Sequence, residues 1–527
     1  MSRPLSLWIA VLLTALSGWI CALAFPPWNL RPLAFVCLVP FFVALRSGPL
    51  RRALLLAWFW AVLVAWLLAS SFPGSIAEYY ERSGWFGFWA GNLIFSVMAA
   101  VYYLFFAALD RVLVRRPRIW TPLLVAAAWV TVELARGRLF TGTPFLIGNP
   151  WGLIGYSHAS GAIAQIASWA GVYGISFVLV AVNAGLAGLL GSWRNSAVST
   201  RQAAWALSLA VMPAIAAAVF GGAVLENAPE STEGGEFVEL AVVQGNVATG
   251  RRWRSDFYGK NLDVYLELTR EAIEAAAPRT VIWPESAMTF FIEAEPRYGH
   301  AIAEVLRSGD VELLAGGPSG EGDRSPPYYN SVFQVDSTGT IQGRYDKEYL
   351  VPFSEFFPFA NWNPMKRRIE GARTFERGRL DAPPLETRLG KVGILICNEA
   401  MLPEVASERV SAGAELLVSP SNDSWIAGRA FAEHMFSVVG LRAIEQRRYL
   451  VRASTAGPSA IVDPWGRIQS RTQPVSRGIL IGQVRPARNQ SAYNRLGDAF
   501  AVSCAALVLG VALAGPLRRG YVESSEG

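Results

Sequence analysis

Histidine is nearly missing from this chain: His158, His300 and His434 are the three in 527 residues, and they lie far apart. No CxxC or HExxH spacing occurs either, so a zinc site lacks a ligand set, and neither a metal nor an organic cofactor is expected. Cysteine is scarce as well, with four in all. Cys21, Cys37 and Cys504 fall inside apolar runs, where thiols pack inertly. Only Cys397 stands in a polar region, which excludes a disulfide framework and leaves that thiol as either packed filler or a reactive group. Charge is sparse too, at 17% against 52% hydrophobic residues, with a mean hydropathy of +0.29. Those proportions do not suit a wholly soluble protein. The net charge of +6 and pI near 9.2 come from Lys and Arg set in short groups beside apolar runs. That pattern encodes membrane topology, and no nucleic-acid partner is expected.

What is present is a series of runs near the roughly 20 residues needed to cross a bilayer. They lie near 5–25, 31–46, 52–72, 88–110, 119–136, 161–191, 203–225 and 497–516. The first reads as a retained helix and not a cleaved leader, since no small-x-small site precedes a polar start. Cytoplasmic turns retain basic residues. Starting inside, the returning turns hold Arg46, Arg51 and Arg52, then Arg111, Arg115, Arg116 and Arg118, then Arg194 and Arg201, and the tail holds Arg518 and Arg519. Arg136 and Arg138 run against this scheme. The expected layout is a membrane domain of seven transmembrane helices over 1–225, an extracytoplasmic domain over 226–496, and an eighth transmembrane helix with a cytoplasmic tail over 497–527.

Residues 226–496 change character, alternating β-branched runs with amphipathic stretches as an α/β domain does. Strands are expected at 237–244, 280–284, 312–317, 330–336, 391–397, 416–421, 449–455 and 459–464, and helices at 256–276, 298–308, 403–412 and 430–447. Buried strands alternating with helices imply a layered sandwich with helices outside the sheets.

In KVGILICNEAMLPEVASERV an apolar strand ends at Cys397 and helical periodicity follows, which offers partial positive charge that favours a thiolate. Glu285 ends the apolar strand TVIWP, where an acid can take the thiol proton. Lys347 lies in GRYDKEYLVPFSEFFPF, where an ammonium would stabilise a tetrahedral oxyanion. Read singly, each has a plainer alternative: a packed cysteine, a solvated acid, a solvated lysine.

WPES, YDKEYLVPFSE and ICNE occur in that order, followed by SNDSW and RAIEQRRYLVRAS. Together they resemble the nitrilase superfamily, and with the flanking spans and the GNPWGLIGYSHA loop the chain is similar to its membrane branch, the apolipoprotein N-acyltransferases. The resemblance implies an α-helical membrane domain of eight transmembrane helices plus an α/β nitrilase-like αββα sandwich. It implies Cys397 as nucleophile, Glu285 as general base and Lys347 as the oxyanion's cation, with Glu355 and Glu399 supporting. Trp253 matches a tryptophan near the family's lipid entrance. Asn398 stands where the family usually has Tyr, Ser354 where it has Gly, and Ser454-Thr455 where Asn is common; Asn398 adjoins the thioester position.

The implied reaction takes the sn-1 acyl group of a phospholipid onto Cys397 and passes it to the α-amine of a diacylglyceryl-cysteine in a lipoprotein, at a bacterial inner membrane with the catalytic domain in the periplasm. The protein is expected to act as a monomer. Phe356, Phe357, Phe359 and Trp362, followed by Lys366, Arg367 and Arg368, suit an interfacial arm that contacts lipid. Trp425 and His434 are further candidates for substrate contact. A Cys397–His434 pairing is a weaker scheme, because His434 lies inside a helical segment. Two other functions stay open: a membrane-tethered amidohydrolase in which water resolves the thioester, and a noncatalytic lipoprotein-binding protein.

Overall fold

The computed structural model describes residues 5–115, 118–139, 148–194, 199–228, 236–247, 258–321, 327–356, 374–426 and 428–523. Helices α1 (Leu7–Leu23), α2 (Val39–Leu45), α3 (Leu50–Leu68), α4 (Phe72–Tyr79), α5 (Gly84–Phe95), α6 (Val101–Leu113), α7 (Thr121–Arg138), α8 (Ala167–Arg194) and α9 (Thr200–Glu226) precede the first strand. A π turn at Ser96–Ala100 fuses α5 to α6. Among the described residues, four stretches are long and apolar enough to cross a membrane: Leu50–Leu68, Gly84–Leu113, Ile163–Trp193 and Thr200–Glu226. Leu7–Leu23, Arg31–Leu45 and Ala499–Leu513 are apolar but shorter.

These helices carry large apolar side chains outward, among them Trp8, Leu12, Leu55, Trp85, Phe105 and Val219. Water would not tolerate such a surface, whereas lipid does. Inward, the fully buried Trp129 is ringed by Trp60, Tyr103 and Phe106 at centroid distances of 5.5, 5.0 and 4.9 Å. Small residues bring α8 and α9 together: a Cβ on Gly185 would lie 2.9 Å from Leu207 and 3.1 Å from Ala210.

The α/β part contains β1 (Val238–Gln244), α10 (Tyr258–Ala276), β2 (Thr280–Ile282), α11 (Pro296–Gly309), β3 (Glu312–Ser319), β4 (Tyr329–Val335), β5 (Ile341–Asp346), β6 (Leu385–Thr387), β7 (Gly390–Ile394), α12 (Pro403–Ser411), β8 (Leu416–Ser421), α13 (Arg429–Gln446), β9 (Leu450–Ser454), β10 (Ala460–Val462), β11 (Ile468–Arg471) and β12 (Gly478–Val484). Then come α14 (Ala492–Leu496) and the apolar α15 (Ala499–Glu523). One sheet has the order β12-β1-β2-β3-β4-β5 and the other β11-β10-β9-β8-β7-β6. Side chains alternate between faces along each strand. Thus Leu240, Val242, Ile282 and Leu314 of one sheet meet Ile394, Val418, Val451 and Ile461 of the other in a shared core. The opposite faces pack under helices: Ala241 and Val243 with α10 and α11, and Leu417 and Leu450 with α12 and α13. The result is an αββα sandwich.

The structure departs from the sequence reading in places. β5, β6, β11 and β12 were not expected: all four are edge strands, of which β5, β6 and β11 are polar, β5 and β11 being largely exposed, while β12 is partly exposed and interrupted by Gly482. The strand expected to reach Cys397 stops at Ile394, and α4 is an additional short helix between apolar runs.

The α/β part grips the helices through buried polar contacts. Gly171 (φ 59°, ψ −167°) breaks the helical ladder of α8, and the freed N–H of Val172 donates to Glu445 of α13 at 3.1 Å. A Cβ at Gly171 would come within 2.6 Å of the Tyr493 ring, so no larger residue fits. Glu445 pairs with Arg442 at 2.9 Å, both side chains fully buried, and Arg442 also donates to Tyr156 at 3.2 Å. Arg138, at the end of α7, pairs with Glu404 at 2.9 Å and Asp498 at 2.7 Å. Arg136 donates to Tyr103 at 3.2 Å and to the Trp151 carbonyl at 2.6 Å. Glu445→Ala strands the Arg442 guanidinium and is expected to cost about 3–5 kcal/mol, whereas Arg442→Met with Glu445→Leu recovers most of that loss. Thermal unfolding of the purified protein in detergent measures both.

Candidate active site

Three chain segments deliver ionisable groups to one place. The first leaves β2 as Trp283-Pro284-Glu285, packed so closely on β3 that a Cβ at Gly316 would lie 2.5 Å from the Pro284 carbonyl and 2.6 Å from the Glu285 Cα. The second leaves β5, where Lys347 is anchored by its own N–H donating to the Asn330 carbonyl at 2.8 Å. The third leaves β7 and enters a 3-10 turn, Cys397–Met401, with Cys397 itself at φ 53°. That left-handed conformation costs a non-glycine residue roughly 1–2 kcal/mol, so neighbouring contacts must hold it.

Glu399 provides them. One carboxylate oxygen accepts the Ile396 N–H at 2.7 Å, fixing the residue before Cys397. The other accepts the Tyr345 hydroxyl at 2.9 Å and the N–H groups of Glu348 and Tyr349 at 2.8 and 3.1 Å. One buried acid therefore ties the Cys397 turn to the Lys347 segment, and burial pushes its carboxyl up to about 7.

Lys347 is almost wholly buried between two acids. Its Nζ lies 2.8 Å from Glu355 Oε2 and 3.7 Å from Glu285 Oε1. Burial alone would lower the ammonium's pKa, but Glu355 and then Glu285 outweigh it and hold the group charged, above the usual lysine range. Asn330 bridges the same two acids, its Nδ2 donating to Glu285 at 2.8 Å and to Glu355 at 2.7 Å. The Asn422 N–H reaches the second Glu285 oxygen at 2.8 Å, and the Val351 N–H reaches Glu355 at 2.7 Å. Asp423 and Arg452 form a buried pair at 2.8 Å just behind, with Ser454 donating to Asp423 at 2.8 Å and the Thr455 hydroxyl to the Asn422 side-chain Oδ1 at 2.9 Å.

The standing thiolate expected at Cys397 is not what this environment favours. Burial pushes the thiol well above the usual range, Glu285 pushes it further, and Lys347 only partly offsets them. The 3-10 turn also separates Cys397 from the N-terminus of α12, which removes the helix-dipole contribution. Burial and Glu285 thus favour the neutral thiol over the thiolate at Cys397.

The other sequence candidates are placed as follows. Asn398 donates to the Tyr349 carbonyl at 2.9 Å, and among the described residues none donates to its buried Oδ1. Phe356 closes a tight loop, its carbonyl accepting the Phe353 N–H at 2.7 Å. Trp425 packs edge-on to Phe72 of α4 at 6.3 Å. His434 is buried between Trp151 and Phe25, at 4.1 and 5.2 Å, where burial pushes the ring down to about 3. Neither ring nitrogen has a hydrogen-bond partner among the described residues, which leaves the Cys–His scheme without a base. Trp253, Phe357, Phe359 and Trp362 lie outside the described residues. Asn330, Asn422 and the Asp423–Arg452 pair were not anticipated. The SNDSW and RAIEQRRYLVRAS segments held the signal for the last three, while Asn330 sat unmarked at a strand start.

Residues 239–494 match the carbon–nitrogen hydrolase family model, and residues 17–185 match the apolipoprotein N-acyltransferase N-terminal domain model. An apolipoprotein N-acyltransferase from Geobacter metallireducens is 32% identical over 504 residues, covering 94% of this chain and 93% of that relative. The chain belongs to the apolipoprotein N-acyltransferase family. A second apolipoprotein N-acyltransferase, from Azotobacter vinelandii, is 30% identical over 99% of this chain and 97% of its own length. Among solved structures, the C. elegans NitFhit protein is similar over 51% of this chain and 65% of its own, with a TM-score of 0.38 at 20% identity. An amidase of the nitrilase superfamily from Nesterenkonia AN1 covers 52% and 98%, with a TM-score of 0.38 at 17% identity. In this acyltransferase, Glu285, Lys347 and Cys397 all fall within the carbon–nitrogen hydrolase match.

Two outcomes are expected. Alkylation of resting Cys397 by iodoacetamide should accelerate about tenfold per pH unit between roughly pH 7 and 9, because only the thiolate reacts. A flat profile would mean a preformed thiolate. Asn330→Leu, which removes the amide bridging Glu285 and Glu355, should slow acyl-enzyme formation by about 10²-fold, followed as the mass increase on the protein.

Proposed function

We propose that this chain moves a fatty acyl group from the sn-1 ester of a phospholipid, through a thioester on Cys397, to the α-amine of a diacylglyceryl-cysteine at a lipoprotein N-terminus. The observation that carries the reading is the meeting of Glu285, Lys347 and Cys397 in loops that touch the membrane helices. Tyr80 and Tyr79, at the end of α4, donate to the carbonyls of Phe353 and Ser354 at 2.6 and 3.2 Å, immediately before Glu355. Trp425 meets Phe72 of the same helix. A site in this position suits substrates that stay in lipid, because each buried CH₂ favours the bilayer by roughly 0.8 kcal/mol. Trp253 and the aromatic arm at 356–368 are assigned to lipid contact on their sequence pattern alone.

In the first half-reaction the Cys397 proton passes to Glu285 as Sγ bonds to the ester carbonyl carbon. Negative charge builds on the carbonyl oxygen beside Lys347 Nζ. Collapse breaks the ester bond, and the departing lyso-lipid oxygen takes the proton from Glu285. In the second, the α-amine attacks the thioester carbonyl and gives a proton to Glu285. The C–S bond then breaks, and the sulfur recovers that proton as the amide leaves. Glu355 keeps Lys347 in place, and Glu399 keeps Cys397 in its turn.

The membrane arrangement that accompanies this chemistry has eight spans: α1, the Arg31–Leu45 segment, α3, the α5–α6 stretch, α7, α8, α9 and α15. The α/β part then lies on the periplasmic side of a bacterial inner membrane. Arg136 and Arg138 cease to contradict that orientation, since one donates to Tyr103 and the Trp151 carbonyl and the other pairs with Glu404 and Asp498.

Incubation with acyl-labelled phospholipid and a diacylated lipopeptide is expected to place label first on Cys397 and then on the peptide amine. Mass spectrometry locates it. Cys397→Ser removes both signals, and Glu285→Gln slows loading by about 10²–10⁴-fold. Free fatty acid as the sole product would identify a hydrolase and end the proposal.

A further inference from the structure

The helical unit holds a second site at its other end. A cavity of about 930 Å³ opens among α2, α3, α6, α7, α8 and α9, far from the sandwich. Its place follows from the helices that run between the two ends. Thr121 at the start of α7 lines the cavity, while Arg138 at the end of α7 is paired with Glu404 and Asp498. Gly171 near the start of α8 packs on Tyr493, and Ser192 near its end lines the cavity. At 1.5 Å per residue, α7 separates its two ends by about 25 Å.

The lining contains Arg46, Arg111, Arg115 and Arg118, and no acidic residue among the described residues. Arg46 is already satisfied, its Nε and one terminal nitrogen resting on the two oxygens of Asp110 at 3.1 and 2.7 Å. Arg111 is not. Its Nε and a terminal nitrogen are buried with no hydrogen-bond partner among the described residues. Buried guanidinium donors left without acceptors are costly unless something anionic completes them. The facing wall is made of small residues, with Ala184, Gly185 and Gly188 on α8 and Ala203 and Ala206 on α9. A Cβ built on Gly188 would meet nothing within 4 Å, so the space above this wall is open.

Four arginines and a run of small apolar residues lining one cavity match one ligand chemistry, a phosphodiester headgroup attached to acyl chains. The volume falls in the range of sites that take a whole small ligand and is far larger than one phosphate needs. We propose that this cavity binds an anionic glycerophospholipid, its phosphate on Arg111 with Arg115 and Arg118 nearby, and its acyl chains along the Ala/Gly wall. On the orientation given above the lipid comes from the inner leaflet; its binding is independent of the chemistry at Cys397.

The full-length protein in a zwitterionic detergent tests this by native mass spectrometry. The probes are short-chain phosphatidylglycerol and phosphatidylcholine, both as dialkyl ethers with no ester to transfer, and inorganic phosphate. Wild-type protein should retain one more phosphatidylglycerol than either variant below, about tenfold or more tightly than it holds the phosphatidylcholine analogue at that site. Arg111→Gln should weaken that lipid by about tenfold or more, and Gly188→Leu, whose side chain enters the open space, should remove it. Equal retention of the two headgroups, or unchanged phosphatidylglycerol retention in both variants, overturns the site. Inorganic phosphate should not displace the lipid at millimolar concentration; competition at equal affinity would make the ligand a free anion and overturn the lipid assignment. Cys397 loading from an ester phospholipid, read in the same preparations, should stay at the wild-type rate in both variants. Loss of loading together with retention would overturn the assignment of a separate site.

Discussion

A single buried ammonium shared by two carboxylates governs the site. Burying one isolated carboxylate is already expensive, by several kcal/mol, and here two stand within reach of each other. Lys347 between Glu355 and Glu285 neutralises one charge, and the neutral donors of Asn330, Asn422 and Val351 satisfy the remaining oxygens. The cluster therefore carries one net negative charge, counting Cys397 as a neutral thiol. A thiolate would add a second, which explains why burial and Glu285 together raise the thiol. Proton transfer from Cys397 to Glu285 during attack leaves the net charge unchanged and moves it from the carboxylate to the substrate oxygen. Constant charge keeps that step affordable where water is scarce.

Geometry has to be rigid for such a transfer to compete, because thiol, base and cation come from three separate loops. Rigidity comes from a polar lattice beneath them. Tyr345 donates to Glu399 and receives a hydrogen bond from Arg409 at 2.9 Å, and Arg409 pairs with Glu348 at 2.6 Å. Glu399 then joins Tyr345, Glu348 and Tyr349 to Ile396, so the loop after Lys347 cannot shift without disturbing the turn that holds Cys397 at positive φ. A network of this kind is strong only when complete, since any lost member leaves a buried partner unsatisfied.

The sequence exposes some of this more readily than the rest. Central strands such as β1, β3 and β8 are buried on both faces and read as runs of Val, Leu and Ala, whereas β5 and β11 are largely exposed and carry the polar residues of a loop. Cys397, Glu285 and Lys347 stand out because a reactive or charged group follows an apolar strand. Asn330 and Asn422 do not, because an uncharged amide beside a strand reads as turn chemistry, and only the fold shows which carboxylates they reach. The thiol's environment is hidden for a related reason: a cation and a helix in the sequence suggest a low pKa, but desolvation, which raises it, is a property of the folded site.

Charge along the chain raises the same issue on a larger scale. A count of basic residues gives Arg136 and Arg138 the weight of any other arginine, and so places them against the proposed orientation. Folded, neither is a free cation at a membrane surface. Arg138 joins α7 to Glu404 in the first turn of α12 and to Asp498 before α15, so the helix end that seems misplaced by charge is an attachment point for the α/β part. Arg111, at the other end of the helical unit, has buried nitrogens with no acceptor among the described residues. The distinction between Arg138 and Arg111 is therefore one of pairing: Arg138 is matched by two acids of the protein, while Arg111 has two buried nitrogens without an acceptor among the described residues.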